Sequence, residues 1–326
     1  MAGINKESRI VEVFSADLTN KQVDKHELKD ANDFIKELAS NPSPDNMYEL
    51  SQIMSYVIND GFQERVAYLD NIADVKRTGY GEKAQFQLEI DDLKAMFQAK
   101  SATTERSKVS NKYFSLDTEE VSIRPIVNFY DLQTGKTNLT RLAQQAAVKM
   151  DVAVAKRIQD SVYAAFSALS TPNYAAGAGI VKSTFDPILR AMQRAGGSAS
   201  IMGDIEALAK FTELTGFTDV PEALALEHNE NGMIGRYTGA NLVKMNNPFQ
   251  PNSLTNTELR KDLLYVIPSG DNELRPIKVQ FEGQVHAIMP DMNINNKAVE
   301  FRFDQYVGTG VIGIRKLLGV YEDTAI

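Results

Sequence analysis

The most regular pattern in this chain of 326 residues lies close to its C-terminus. From Val299 to Val307 the residues alternate, and the two faces consist of Val299, Phe301, Phe303 and Val307 on one side and of Glu300, Arg302, Asp304 and Tyr306 on the other. Alternation with a period of two predicts a half-buried β-strand. Because a strand so late in the chain must pair with strands made earlier, we expect a fold that closes on itself over a long sequence distance.

Composition narrows the class of protein. Hydrophobic residues make up 43% and charged residues 24%, as in soluble globular proteins. The net charge of -8 argues against a surface that grips nucleic acid phosphates, and the absence of cysteine excludes disulfides, thiolate metal sites and a cysteine nucleophile. No apolar run approaches the roughly 20 residues of a membrane helix, and no signal-peptide core is visible. We therefore expect synthesis in the cytosol and no membrane association.

The first 59 residues carry two helical patterns that differ in character. Residues 17–39 are heavily charged with a thin apolar stripe, which predicts a marginal surface helix or an arm that docks on something else. Residues 41–45 break the chain with two prolines. Residues 46–59 then show a second helical pattern with a stronger apolar face.

The β-like stretch from residue 65 to 133 contains a long polar interruption. Residues 98–111 hold one large aliphatic side chain, Val109, so this segment cannot bury itself in a core of its own. We predict a long hairpin that projects from the body. Its tip is basic, and in an acidic protein a basic projection is a candidate contact with another copy of the chain; the residues are Lys100, Arg106, Lys108 and Lys112.

A long helix follows the hairpin. Thr137, Asn138 or Thr140 can cap it, and thirty residues from 140 to 169 would extend about 45 Å. We predict a spine across one face of the molecule. An apolar stripe at a spacing of four residues marks its buried face, with Met150, Val154, Ile158 and Phe166 among the core residues.

The remainder predicts a compact α/β unit over 180–275, then a hairpin that joins the strand 277–288 to the strand 299–307. Motifs for chemistry are incomplete. Gly135-Lys136-Thr137 lacks the earlier glycine of a phosphate-binding loop, and Asp291, Asn293 and Asn295 lack the glycine and glutamate of a calcium loop. The histidines His26, His228 and His286 have no metal-ligand spacing. We expect no catalytic residue, no cofactor and no metal.

The order of these segments resembles the major capsid proteins of tailed bacteriophages, which have the α+β Hong Kong 97 fold. Local sequence is similar as well, in Arg275–Gly283 (RPIKVQFEG), Val299–Val311 (VEFRFDQYVGTGV) and Gly232–Lys244 (GMIGRYTGANLVK). The resemblance covers nearly the whole chain. It implies a structural protein that is not an enzyme, with a peripheral domain, an axial domain, an extended loop, a spine helix and an N-terminal arm.

Mapped onto this sequence, the resemblance implies an arm over 1–45, a peripheral helix over 46–64, the extended loop over 65–115 and a peripheral domain over 116–179 with the spine at 138–170. An axial domain would span 180–275, and 276–326 would return to the peripheral domain. In that topology Phe301 and Phe303 pack beneath the spine helix.

The partners implied are copies of the chain itself, in pentamers and hexamers of an icosahedral shell that encloses double-stranded DNA. A separate scaffolding protein, a portal and decoration proteins belong to the same expectation, as do assembly in the host cytoplasm and a place in the virion capsid. Two alternatives stay open at this point. One is an encapsulin-type nanocompartment shell around a cargo enzyme, and the other is an α/β enzyme with its site in 180–275.

Overall fold

The computed structural model describes residues 9–16, 24–41, 43–91, 109–128, 130–131, 134, 136–214, 235–250, 252–268, 275–293, 297–312 and 318–326. Within these ranges the helices are α1 (Lys25–Ser40), α2 (Pro44–Val66), α3 (Leu139–Phe166), α4 (Lys182–Gly196) and α5 (Ile205–Ala209). Residues 9–16 are also helical, and shorter 3-10 turns span Ala67–Asn71 and Lys210–Glu213.

The strands belong to three sheets. A five-stranded sheet contains β1 (Asp74–Thr78), β4 (Glu119–Ile123), β5 (Ile126–Asn128), β11 (Ile277–Asn293) and β12 (Ala298–Val311). A six-stranded sheet contains β6 (Tyr174–Gly177), β7 (Ala199–Gly203), β8 (Arg236–Tyr237), β9 (Ala240–Lys244), β10 (Leu263–Pro268) and β13 (Gly319–Asp323). The strands β2 (Gln85–Asp91) and β3 (Val109–Ser115) form a two-stranded sheet of their own.

The predicted late strand is confirmed, and it closes the fold over the sequence distance expected. β12 pairs antiparallel with β11 on one side and with β4 and β5 on the other, while β1 joins the far edge of β11 in parallel. Phe301 and Phe303 are fully buried and lie stacked in the main core. The polar face differs from the prediction at Asp304, which is buried because it lies inside the sheet and its carboxylate accepts a hydrogen bond from Arg302 Nε.

The predicted spine helix is α3, which packs between α2 and β12. Asn138 caps it, with the side-chain oxygen accepting from the backbone N–H of Arg141. The helix ends at Phe166, four residues before the predicted end, and a turn then leads to Pro172. Its stripe is buried in the same core as Phe301 and Phe303, and this includes Met150, Val154, Ile158 and Phe166.

Within the predicted arm over 1–45, residues 9–16 and α1 pack on their own chain, and α1 is the marginal surface helix that is one of the two alternatives predicted for residues 17–39. Asp24 caps α1, and the helix buries one face consisting of Ala31, Ile35, Leu38 and Ala39. Ile10, Val13 and Phe14 of the helical segment 9–16 enter the same core. The thin stripe is sufficient because only one narrow face of α1 meets the body. The peripheral helix is also longer than the predicted 46–64, since Ser43 caps α2 and Pro44 occupies its first turn.

Strand pairing crosses three of the predicted domain boundaries. β1 lies within the predicted extended loop 65–115 but pairs with β11 in the five-stranded sheet. β13 lies within the predicted return segment 276–326 but pairs with β10 and β6 in the six-stranded sheet. β6 joins that sheet as well, although the prediction placed it in the segment 116–179. The six-stranded sheet therefore gathers strands from both sides of the predicted axial segment 180–275.

One buried carboxyl group in the spine helix has an oxygen without a hydrogen bond from the described residues. Asp151 on α3 is buried, and its Oδ1 accepts no hydrogen bond from the described residues. Burial raises the pKa of this carboxyl from 3.8 to about 6, and the nearby Arg65 opposes the shift only in part. The folded subunit therefore binds the proton of this carboxyl more tightly than the unfolded chain does.

We expect this carboxyl to make the subunit less stable as the pH rises. The contribution of the raised pKa to the free energy of unfolding is present in full below the unfolded pKa of 3.8, and it is lost as the pH rises through about 6. The difference between the two values corresponds to about 3 kcal/mol at neutral pH. Urea unfolding of the unassembled subunit near pH 5 and near pH 8 measures it. Asp151→Asn should flatten the pH dependence, whereas Asp160→Asn, at an exposed position on the same helix, should leave it as in the wild type. Equal slopes in wild type and Asp151→Asn would contradict this assignment.

Candidate assembly surface at the base of the hairpin

The β2–β3 hairpin stands apart from the two large sheets. Its strands pair with each other from Gln85–Ser115 to Asp91–Val109, and with no other strand of the described residues. Lys112 lies on β3 opposite Leu88 and is exposed, as is Tyr113 at 62%. Of the predicted tip residues, Lys100, Arg106 and Lys108 lie outside the described residues. Their contact role therefore stays a prediction.

A small core of its own fixes the hairpin where it leaves the body. Phe86 is fully buried with Ala84 and Leu116, and Phe114 stacks on it with ring centroids 6.1 Å apart. Aromatic pairs of this kind contribute about 0.5–1.5 kcal/mol beyond the area that they bury. This cluster is separate from the main core, so the base is held by its own apolar contacts.

Two lysines of the five-stranded sheet approach the Phe86 ring. Lys76 Nζ lies 5.2 Å and Lys278 Nζ 5.9 Å from the ring centroid. Lys278 is itself buried and donates to Asp74 Oδ2 at 2.9 Å, with side-chain exposures of 3% and 6%. Removing one partner of a buried pair leaves an uncompensated charge and costs about 3–5 kcal/mol. The pair therefore ties β1 and β11 together directly beneath the hairpin.

Polar contacts also attach the segments on both sides of the hairpin to strand β11. Glu282 accepts hydrogen bonds from Thr118 Oγ1 at 2.7 Å and from the Gly81 N–H at 2.8 Å. These hydrogen bonds lower the pKa of the Glu282 carboxyl, so it stays charged. Gln280 Nε2 donates to the Glu82 carbonyl at 2.8 Å on the adjacent part of the strand.

A tyrosine ring lies directly on a glycine of β11. The Tyr80 hydroxyl donates to the Gln284 carbonyl at 2.7 Å, and its ring packs edge-on against His286 and Tyr306. A Cβ at Gly283 would lie 2.4 Å from Tyr80 Cζ. Gly283 also has φ +70° and sits in a bulge of the β11–β12 register, so glycine is needed there for two independent reasons.

The sites considered for catalysis and metal binding remain apart. His26 lies on α1, His286 contacts Tyr80 and Tyr306, and His228 lies outside the described residues. Among the residues that the structure describes, no three histidine or acidic side chains are grouped to hold a metal ion. In the same part of the chain no helix is both long and apolar enough to cross a bilayer.

The comparisons with known proteins agree with this geometry. Residues 2–321 match a family model described as "SPbeta prophage-derived putative capsid protein YonB". This chain belongs to that capsid protein family. No curated protein shows a significant sequence match.

Solved structures show the fold of this YonB-family chain. The capsid of an empty GTA particle matches at TM-score 0.53 and 14% identity, over 79% of this chain and 89% of that chain. Microbacterium phage Oxtober96 matches at TM-score 0.53 and 12% identity, over 78% and 90%. Mycobacterium phage Che8 matches at TM-score 0.50 and 16% identity, over 74% and 85%. The predictions of the Hong Kong 97 fold and of a phage major capsid protein, with its place in the virion capsid, are confirmed.

Comparison of two glycines tests the importance of the tyrosine contact. Gly81→Ala and Gly283→Ala both place a Cβ at positive φ, +78° and +70°, which costs about 1–2 kcal/mol. Nothing lies within 4 Å of a Cβ at Gly81, whereas Gly283→Ala must also displace the Tyr80 ring and its hydrogen bond. We expect Gly283→Ala to lower the free energy of unfolding by about 1 kcal/mol more than Gly81→Ala, as measured by urea titration. Equal losses would show that the ring contact contributes nothing.

Proposed function

We propose that this capsid protein assembles into the pentamers and hexamers of an icosahedral shell around double-stranded DNA. The β2–β3 hairpin of each copy would contact a neighbouring copy. The observation that carries the proposal is the contrast within the hairpin, whose base is fixed by the buried Phe86 cluster while its strands, among the strands that the structure describes, pair with each other alone. A firmly attached element with unpaired strand edges is a liability in a monomer. It is useful where every copy meets others in a closed arrangement.

The two large sheets support the assignment of two domains within the subunit. We assign the five-stranded sheet with α2 and α3 to a peripheral domain, and the six-stranded sheet with α4 to an axial domain at the fivefold and sixfold axes. The six-stranded sheet and α4 share a buried cluster around Phe185, whereas the main core around Phe301 also takes in residues of the six-stranded sheet, such as Met202 and Val320. Many modest contacts between such subunits add up to a cooperative shell.

The contents and helpers of the shell belong to the same proposal. Because the net charge of the chain is -8, the inner surface of the shell would not bind the packed DNA tightly. A separate scaffolding protein, a portal and decoration proteins would act with this chain during assembly in the host cytoplasm. The chain's own role is structural, with no reaction catalysed.

Expression of the chain, with its scaffolding protein if one is needed, tests the proposal. Sedimentation velocity and electron microscopy of the product should show closed icosahedral particles. A well-behaved monomer under all assembly conditions would overturn the assembly role. Particles that copurify with a cargo enzyme, and never package DNA, would replace the DNA container with a nanocompartment.

A charge reversal tests the predicted contact at the hairpin tip. Arg106→Glu together with Lys108→Glu should reduce particle yield by about tenfold or more, because many copies of the same contact are lost at once. Lys29→Glu with Lys36→Glu makes the same change of net charge at exposed positions on α1 and should assemble nearly as the wild type does. Wild-type particle yield from the Arg106 and Lys108 variant would refute the contact role of the tip.

A further inference from the structure

A second projecting element lies between β9 and β10. Phe249 and Thr257 form a backbone bridge, and the Gln250 N–H donates to the Asn256 carbonyl at 2.8 Å. At the end of this turn the Ser253 hydroxyl accepts from the backbone N–H groups of Thr255 and Asn256, at 3.2 and 2.9 Å. Its backbone is thus held by a dense set of internal hydrogen bonds.

The turn is also attached to the rest of the subunit. The Asn247 side chain donates to Asp204 Oδ2 at 2.8 Å and accepts from the Leu259 N–H at 2.9 Å. Lys149 of the spine helix pairs with Glu258. Gln159 of the same helix exchanges two hydrogen bonds with the Arg260 backbone, at 2.7 and 3.0 Å. These contacts connect the turn directly to α3.

This well-attached turn displays two large apolar side chains, Leu254 at its tip and Phe249 at its base. Leu254 is 86% exposed, the highest value among the large hydrophobic residues that the structure describes, and Phe249 is 52% exposed. Internal hydrogen bonds satisfy much of the polar backbone, so the side chains are what the turn offers to its surroundings. Isolated exposed apolar residues are ordinary, but two on one fixed turn mark a candidate contact.

The segment is also free of charge. No charged residue occurs in the thirteen positions between Lys244 and Glu258, in a chain that is 24% charged overall. Depletion of charge is the composition typical of the buried centre of a protein interface. In a shell of identical acidic subunits it has a second effect, because a neutral contact brings no like charges of neighbouring copies together.

We propose that this turn, with Leu254 at its tip, is a contact with a second copy of the same chain in the assembled shell. The inference rests on the proposed shell function and adds a contact separate from the β2–β3 hairpin. The contact buries Leu254 on assembly and links the neighbouring copy to the spine helix through Lys149 and Gln159.

Substitutions at one position test the contact. Leu254→Glu should lower the yield of closed particles by about tenfold or more, while Leu254→Met, which keeps an apolar side chain, should assemble as the wild type does. Because Leu254 is 86% exposed in the subunit, the melting temperature of the unassembled Leu254→Glu subunit should equal that of the wild type. Sedimentation velocity and electron microscopy give the yields.

The outcomes separate this inference from the proposed function. If the wild type forms no particles, the shell function itself fails. If the wild type assembles and Leu254→Glu assembles equally well, the shell function stands and this contact is refuted. If both assemble but Leu254→Glu particles lose a second protein that copurifies with wild-type particles, the turn binds that protein, and the assignment to a second copy is overturned.

Discussion

The antiparallel pairing of β11 with β12 is the contact on which the rest of the subunit depends. These two strands form the centre of the five-stranded sheet, and β1, β4 and β5 attach to their outer edges. The stacked rings of Phe301 and Phe303 place β12 in the main core with α2 and α3. Because the early strands β1, β4 and β5 pair with these two late strands, the N-terminal half cannot complete its core before the C-terminal half is made.

The same strand pair determines where the hairpin leaves the body. Lys278, Gln280, Glu282 and Gly283 all lie on β11, and each contacts a residue between β1 and β4. A strand that belongs to the centre of the five-stranded sheet therefore supplies the attachment points for a separate two-stranded sheet. Force on the hairpin would thus be transmitted to the two central strands of the five-stranded sheet.

Sequence patterns predicted the elements whose periodicity is local. The alternation from Val299 to Val307 predicted β12, and the apolar stripe through Met150 and Val154 predicted α3 to within a few residues. Partners of short strands could not be predicted in this way. Val320 and Tyr321 read as an apolar stretch that could pair in either sheet, and β13 joins the six-stranded sheet through β10 and β6. Asp304 reads as solvent-facing, and its burial depends on Arg302 and on sheet position, which no local pattern encodes.

The residues that anchor the hairpin were also beyond local reasoning. Phe86 is one apolar residue in an alternating strand, and its buried state depends on Lys76 and Lys278 from two other strands. Gly283 offered a usable signal, because a glycine inside a long strand pattern indicates a bulge or a close approach. The close approach is that of Tyr80, about two hundred residues earlier, and only the folded chain brings the two together.

The central claim is that a firmly anchored hairpin is lent to a neighbouring copy, and hydrogen exchange on both states of the protein tests it most directly. Amides of residues 92–108 should exchange much more slowly in closed particles than in the unassembled subunit, because the neighbour covers them. Amides at the centre of β11 and β12 should be protected to a similar degree in both states. Equal exchange of residues 92–108 in particle and subunit would contradict the account.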